Sequence, residues 1–208
     1  MPTAARRAAG GRPSSGWSPM SSRGRSRNGE RRRRGLRVSL NAGRAGGEPG
    51  GSAQKVLGRE AAAEWRRRQQ GPVVFTNGVF DLLHPGHVDV LEGARAEGAH
   101  LVVGINSDAS VRRLGKGDDR PIRAEHERAR VVAGLAAVDA VVIFDEETPL
   151  ALVEALQPDV IVKGGDYAPE RVVGAEVVRA RGGRVVIIPL TPGQSTTSIV
   201  ERVRAVHS

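Results

Sequence analysis

The sequence predicts a doubly wound α/β domain, a mostly parallel five-stranded sheet with helices on both faces, preceded by a low-complexity leader. Three observations carry this. From Val73 onward, short β-branched runs alternate with helical stretches, the texture of a parallel sheet covered on both sides. Residues 1–50 show no apolar periodicity, and 33 of them are Gly, Pro, Ser or Arg, too few apolar groups to offset the entropy of ordering. The length of 208 residues gives room for one ordinary domain and a tail.

Residues 1–70 form the leader and residues 71–208 the domain. The leader is expected to be disordered, although residues 52–70, including Ala61 to Arg68, suit a short helix that Gly71-Pro72 would stop. Strands are expected near Val73–Thr76, Leu101–Ile105, Ala140–Phe144, Val160–Val162 and Val185–Ile188. Helices fall between them, near Pro85–Glu97, Glu125–Val138, Leu150–Leu156 and Pro169–Ala180. A last helix runs from about Ile199 to Val206, with Ile199, Val203 and Val206 on one face and a capping-box pair in Ser198 and Glu201. Regular alternation with right-handed crossovers gives the doubly wound arrangement. In such sheets ligands sit beyond the carboxyl ends of the strands, where strand order reverses. Functional residues should therefore lie just after strands.

The net charge of +9 divides unevenly. Residues 1–70 carry 17 basic and 4 acidic side chains, which leaves 15 and 19 for residues 71–208. The basicity belongs to the leader, where the run Arg31 to Arg34 fits either a solvated low-complexity tail or a weak nucleic-acid contact through phosphate neutralisation. Its Arg- and Ser-rich, acid-poor make-up also suits an organelle transit peptide, and Met20 is an alternative start. No apolar run is long enough for a membrane-spanning helix, and a cytoplasmic location is expected. There is no cysteine, so there is no disulfide framework, thiolate metal site or cysteine nucleophile, and chemistry falls to His, Lys, Arg, Asp, Ser or Thr.

The first strand runs into Thr76-Asn77-Gly78-Val79-Phe80-Asp81-Leu82-Leu83-His84-Pro85-Gly86-His87, after which a helix begins. Two imidazoles at a helix start stand beside exposed N–H groups at the positive end of the helix dipole, a natural anion site. A metal reading is weaker, because no cysteine and no nearby His–carboxylate pattern completes a zinc set. The turn Gly164-Gly165-Asp166-Tyr167 follows a strand directly, and its glycines allow close backbone approach to a ligand; a tight turn capped by Asp166 is the plainer alternative. Ser195, Thr196 and Thr197 offer hydroxyls and N–H groups at a helix start to the outer phosphates of a nucleotide; an ordinary cap needs one hydroxyl, and three in a row argue for a ligand.

The His84-Pro85-Gly86-His87 stretch resembles the H-x-G-H signature of the nucleotidyltransferase superfamily that contains the cytidylyltransferases. Further blocks narrow the resemblance: Asn106 to Leu114, Arg120-Pro121-Ile122, Phe144-Asp145-Glu146, Val162 to Tyr167 and Ser195-Thr196-Thr197. Together, over about residues 71–206, they are similar to the adenylyltransferases that make ADP-heptose from heptose 1-phosphate, either stand-alone or fused to a sugar kinase. The 70 residues before the domain are too few for such a kinase, so adenylyl transfer alone is expected.

The resemblance implies a Rossmann-like fold, ATP and a sugar 1-phosphate as substrates, Mg²⁺, homo-oligomer formation, and a product feeding surface-glycan (lipopolysaccharide) biosynthesis. It implies that His84 and His87 stabilise the transition state and the leaving pyrophosphate. Thr76, Asn77 and the backbone N–H groups near Val79 and Phe80 would hold the nucleotide, as would Lys163, Gly164 and Asp166. Val79 stands where close relatives commonly have Cys, a change that a backbone contact tolerates. Lys116 is placed in a phosphate-binding loop, although Gly115 sets it one position later than the usual pattern. Arg120 and Arg128 are implied as substrate-binding, with a solvent-facing helix position the alternative for Arg128. Asp81 is either a substrate residue or the anchor of a local Asx turn. Two other functions fit less of the sequence: a cytidylyltransferase acting on glycerol 3-phosphate or another phosphorylated alcohol, and a nucleotide- or nucleic-acid-binding protein without catalysis.

Overall fold

The computed structural model describes residues 51–115 and 119–206. The expectations for residues 1–50, and the role implied for Lys116, lie outside the described residues. In chain order the elements are β1 (Val56–Leu57), α1 (Arg59–Arg68), β2 (Val73–Gly78), α2 (Pro85–Ala96), β3 (His100–Asn106), α3 (Asp108–Arg113), α4 (Glu125–Ala133), β4 (Ala140–Phe144), α5 (Leu150–Leu156), β5 (Val160–Gly164), α6 (Ala175–Arg179), β6 (Arg184–Ile188) and α7 (Thr196–Val206). Among the described residues no helix is long and apolar enough to cross a membrane.

The strands form one sheet in the order β1-β4-β3-β2-β5-β6, parallel throughout. The five expected strands are present and a sixth, β1, is added at one edge. Its two residues pair with Val141 and Val142 of β4, too short a segment to show a periodic pattern. Successive strand residues point to opposite faces, and both faces are buried. Val73, Phe75, Val102, Val142 and Phe144 pack in one core with Ala62 of α1, Leu152, Val153 and Leu156 of α5 and Val178 of α6. Val74, Leu101, Val103, Ile105, Val141 and Val162 pack in the other, with Leu91 and Ala94 of α2 and Ala129, Val132 and Ala133 of α4.

Residues 51–70, assigned to the leader from sequence, are instead part of this layered unit. Ala62 is fully buried and Trp65 packs on the core beside it. Arg66 pairs with Asp159 at 2.8 Å, and Lys55 Nζ donates to the Val138 carbonyl at 2.7 Å. The aliphatic and aromatic contacts of a short helix are what the arginine-rich composition concealed.

Other differences have local causes. The helix expected over Glu125–Val138 ends at Ala133, where Gly134 takes the C-cap. The helix expected over Pro169–Ala180 divides into a 3₁₀ turn at Pro169–Arg171 and α6. Gly174 separates them with φ of 87°, a left-handed conformation that favours glycine. The last helix starts at Thr196 rather than Ile199, because the Ser195 hydroxyl accepts from the Ser198 N–H at 3.0 Å. Helix α3 was not anticipated; the Ser107 hydroxyl caps it by accepting from the Ser110 N–H.

From β2 the sheet grows one way through β3 and β4 and the other way through β5 and β6. The order reverses beside β2, so the carboxyl ends of β2 and β5 border the crevice where such folds bind ligands.

Candidate active site

The loop leaving β2 is held by two buried side chains. Asp81 accepts from the Ile122 N–H at 2.9 Å, the Arg123 N–H at 3.0 Å and Arg120 Nη1 at 2.9 Å. Burial alone would raise the Asp81 carboxyl, but these N–H groups and the guanidinium outweigh it and hold the group below its usual range. From the other side, Arg128 donates to the Val79 carbonyl at 2.6 Å, the Arg123 carbonyl at 2.9 Å and Asp108 at 2.7 Å. Between the brackets Phe80 adopts φ of 50°, a conformation that costs a non-glycine residue energy unless its surroundings impose it. Its ring lies 5.0 Å from that of His87. Among the described residues, no protein acceptor takes the backbone N–H of Val79 or Phe80.

His84 is the N-cap residue of α2 and Pro85 begins the helix, which suits a residue without an N–H donor. One turn on, His87 stacks on His84 with ring centroids 3.8 Å apart and planes 23° apart. Nδ1 of each ring is buried without a hydrogen-bond partner among the described residues. Burial lowers the His84 pKa. Burial together with neighbouring His84 pushes His87 down to about 4, with the Leu82 carbonyl opposing the shift. Both shifts favour the uncharged imidazoles, as two stacked rings in partial burial require.

The opposite wall comes from the ends of β5 and β6. Lys163 donates from Nζ to the Asn77 side-chain oxygen at 3.1 Å and the Asn77 carbonyl at 3.3 Å, which ties β5 to β2. Ser195, Thr196 and Thr197 bring the start of α7 to the same opening, and Thr196 Oγ1 stands 3.5 Å from the Leu82 carbonyl. The resulting cleft has a volume of about 410 Å³, within the usual size of small-molecule sites. It is lined by Thr76, Asn77, Val79, Phe80, Asp81, His84, His87, Arg120, Lys163, Gly164, Ser195, Thr196 and Thr197. Two helix starts thus open on one cavity with the paired imidazoles, an arrangement of donors suited to a run of phosphates.

The profile of the cytidylyltransferase-like family matches residues 75–202, a span that holds every residue of this lining. The chain belongs to the cytidylyltransferase-like family. Among curated proteins it is 61% identical over 143 residues to the bifunctional protein HldE of Koribacter versatilis, covering 69% of this chain and 29% of that protein. It is 63% identical over 132 residues to the bifunctional protein HldE of Geotalea uraniireducens, covering 64% and 27%. The chain thus spans less than a third of the length of these relatives. Among solved structures, the lipopolysaccharide core biosynthesis protein of Thermoplasma volcanium is 27% identical with a TM-score of 0.49, covering 59% of this chain and 98% of that one.

Within this cytidylyltransferase-like site, two residues expected to bind ligand are placed elsewhere. Arg128 does not line the cleft; its side chain is fully buried, and its three hydrogen bonds put it behind the Val79–Phe80 loop. An arginine on an amphipathic helix reads as solvated, and nothing in the pattern signals a buried one. Asp166 is exposed and outside the lining, because the turn directs Tyr167 rather than Asp166 into the cleft. Asp81 does line the cleft, but both its oxygens are engaged with residues 120–123, so it anchors that segment rather than offering a free carboxylate. Val90, Val111, Leu190, Thr191 and Gln194 also line the cleft without having been singled out from sequence. The signal for the last three was their position just after a strand.

The cleft does not fit a dedicated metal site. Among the described residues there is no cluster of three His, Cys, Asp or Glu that could hold an ion, and Asp81, the one carboxylate of the described lining, is already saturated.

Proposed function

We propose that the protein transfers AMP from ATP to heptose 1-phosphate, giving ADP-heptose and pyrophosphate. The observation that carries this reading is the convergence of His84 and His87, the Val79–Phe80 loop and the Ser195–Thr197 helix start on one cleft at the reversal point of the sheet. The choice of sugar is supported by the motif blocks that resemble heptose 1-phosphate adenylyltransferases and by the identity to bifunctional HldE proteins.

An oxygen of the sugar phosphate attacks the α-phosphorus of ATP. A new phosphorus–oxygen bond forms, the bond from the α-phosphorus to the bridging oxygen breaks, and its electron pair leaves on pyrophosphate. The attacking oxygen is already ionised near neutral pH, so the site needs alignment and charge stabilisation rather than a general base. The Val79 and Phe80 N–H groups face the α-phosphate, where charge builds up. The starts of α2 and α7 take the outer phosphates with Ser195, Thr196 and Thr197. Burial favours the neutral imidazoles, whereas a bound polyanion favours their protonated forms, so they acquire donors as the leaving group acquires charge. Arg120, held by Asp81, faces the phosphate of the sugar. Mg²⁺ enters as the counter-ion that ATP carries, and no step here depends on a protein-held ion.

The test is pyrophosphate release by the full chain with ATP or CTP against the anomers of heptose 1-phosphate and against glycerol 3-phosphate. Release with ATP and a heptose 1-phosphate is the expected result. A preference for CTP and glycerol 3-phosphate would replace the assignment, and nucleotide binding without release under any pairing would make this a binding protein.

A further inference from the structure

The cleft lining has two chemically different parts. The imidazoles, hydroxyls and helix starts supply the polar part of the lining, while Tyr167, Leu190 and Val90 supply an apolar part that packs against the Gly164-Gly165 turn. Tyr167 is 50% exposed and Leu190 60% exposed, two large apolar side chains left open to solvent inside a concave site. The turn holds them together. Gly165 has φ of 126°, and a Cβ there would stand 3.0 Å from Tyr167 Cε2 and 3.8 Å from Leu190 Cδ1. Only a residue without a side chain leaves the phenol ring seated against bare backbone beside Leu190. Lys163 Nζ lies 5.9 Å from the centre of that ring while bonded to Asn77 at the end of β2, so the turn is also fixed to the strand that leads into the phosphate loop.

A nucleoside triphosphate is likewise polar at one end and flat and apolar at the other. With the phosphates held by the imidazoles, hydroxyls and helix starts, the apolar part of the lining is what remains for the base. We propose that Tyr167 is the platform on which the nucleobase stacks, with Leu190 lining the same part of the site. This rests on the nucleotidyltransferase reading above and deepens it: a purine overlaps more of the ring than a pyrimidine does, so the platform favours ATP over CTP.

Tyr167 is the single tyrosine of the chain, so full-length protein labelled with 3-fluorotyrosine gives one fluorine resonance. A non-hydrolysable ATP analogue is expected to shift it, and tripolyphosphate and heptose 1-phosphate are not. Tyr167→Ala is expected to raise KM for ATP by about 5- to 150-fold, the range for loss of one base–aromatic stack, with KM for the sugar phosphate little changed. Tyr167→Phe should restore the wild-type KM. A resonance that moves with heptose 1-phosphate or tripolyphosphate and not with the analogue overturns the proposal. So does a resonance that ignores all three while pyrophosphate release proceeds, in which case the enzymatic reading stands. A shift with the analogue in a protein that releases no pyrophosphate supports the platform and removes the enzymatic reading instead.

Discussion

Replacing Arg128 by lysine separates a charge from the geometry that uses it. The native side chain is fully buried and reaches three acceptors, the Val79 carbonyl at 2.6 Å, the Arg123 carbonyl at 2.9 Å and Asp108 at 2.7 Å. A lysine ammonium can keep the ion pair with Asp108, but it lacks the planar fork that spans the other two. Two part-buried carbonyls then lose this donor. A fully buried polar group left unpaired costs about 1–3 kcal/mol, and because water can reach part of these two the variant should unfold about 1–3 kcal/mol more easily in all. The Val79 carbonyl belongs to the loop whose N–H groups face the α-phosphate in the proposed reaction. Displacement of that loop by about 1 Å is worth about 10²-fold in turnover. Denaturant unfolding measures the first quantity by linear extrapolation, and steady-state kinetics at saturating substrates, well below the unfolding midpoint, measures the second. If Arg128→Lys matched the wild type within about 0.5 kcal/mol, the ordinary scatter of a surface change, and kept its turnover, the bracket behind the loop would have no such role.

His87→Ala should lower turnover at saturating substrate by about 10²- to 10³-fold, the scale of one preorganised donor; an unchanged rate in a folded variant would remove the imidazole from the chemistry. The His87 pKa of about 4 lies below its ordinary value, so the unfolded chain binds this proton first as pH falls, and the protein measured without nucleotide should lose stability from about pH 6.5 down to about pH 4. Thermal melts should show a shallower decline in His87→Asn, and identical slopes would contradict the assignment. A chain beginning at Gly51 should release pyrophosphate at the full-length rate. One beginning at Gly71 loses β1, α1, the burial of Ala62 and the Arg66–Asp159 pair, and should melt at a clearly lower temperature by calorimetry; equal melting temperatures would show that α1 adds nothing to the fold.

What could be read from sequence was set by the range of each signal. Val73–Phe75 and Leu101–Ile105 are runs long and apolar enough to announce buried parallel strands, and they place His84 and His87 beyond a strand end without any structure. Two-residue β1 and six-residue α3 are shorter than the periodicity that reveals an element. The convergence of Ser195–Thr197 on the imidazoles was expected from family resemblance, since more than a hundred residues separate them, and strand order, not local pattern, brings them together. Arg128 shows the converse. Its identity suggests solvent, and its burial depends on three acceptors supplied by residues 79, 108 and 123, which no single helix displays. Tyr167 and Asp166 are adjacent, and no local pattern shows which of them the Gly165 backbone turns inward: the resemblance points to Asp166, whereas Tyr167 lines the cleft.

The most direct test is nitrogen-15 NMR of the full chain titrated with a non-hydrolysable ATP analogue at neutral pH. The imidazole nitrogens of His84 and His87 and the backbone amides of Ser195, Thr196 and Thr197 should shift along one binding curve, with the rings moving toward their protonated forms. Imidazoles that stay neutral and unmoved while the amides saturate, or the reverse, would mean that the two groups do not grip the same chain of phosphates.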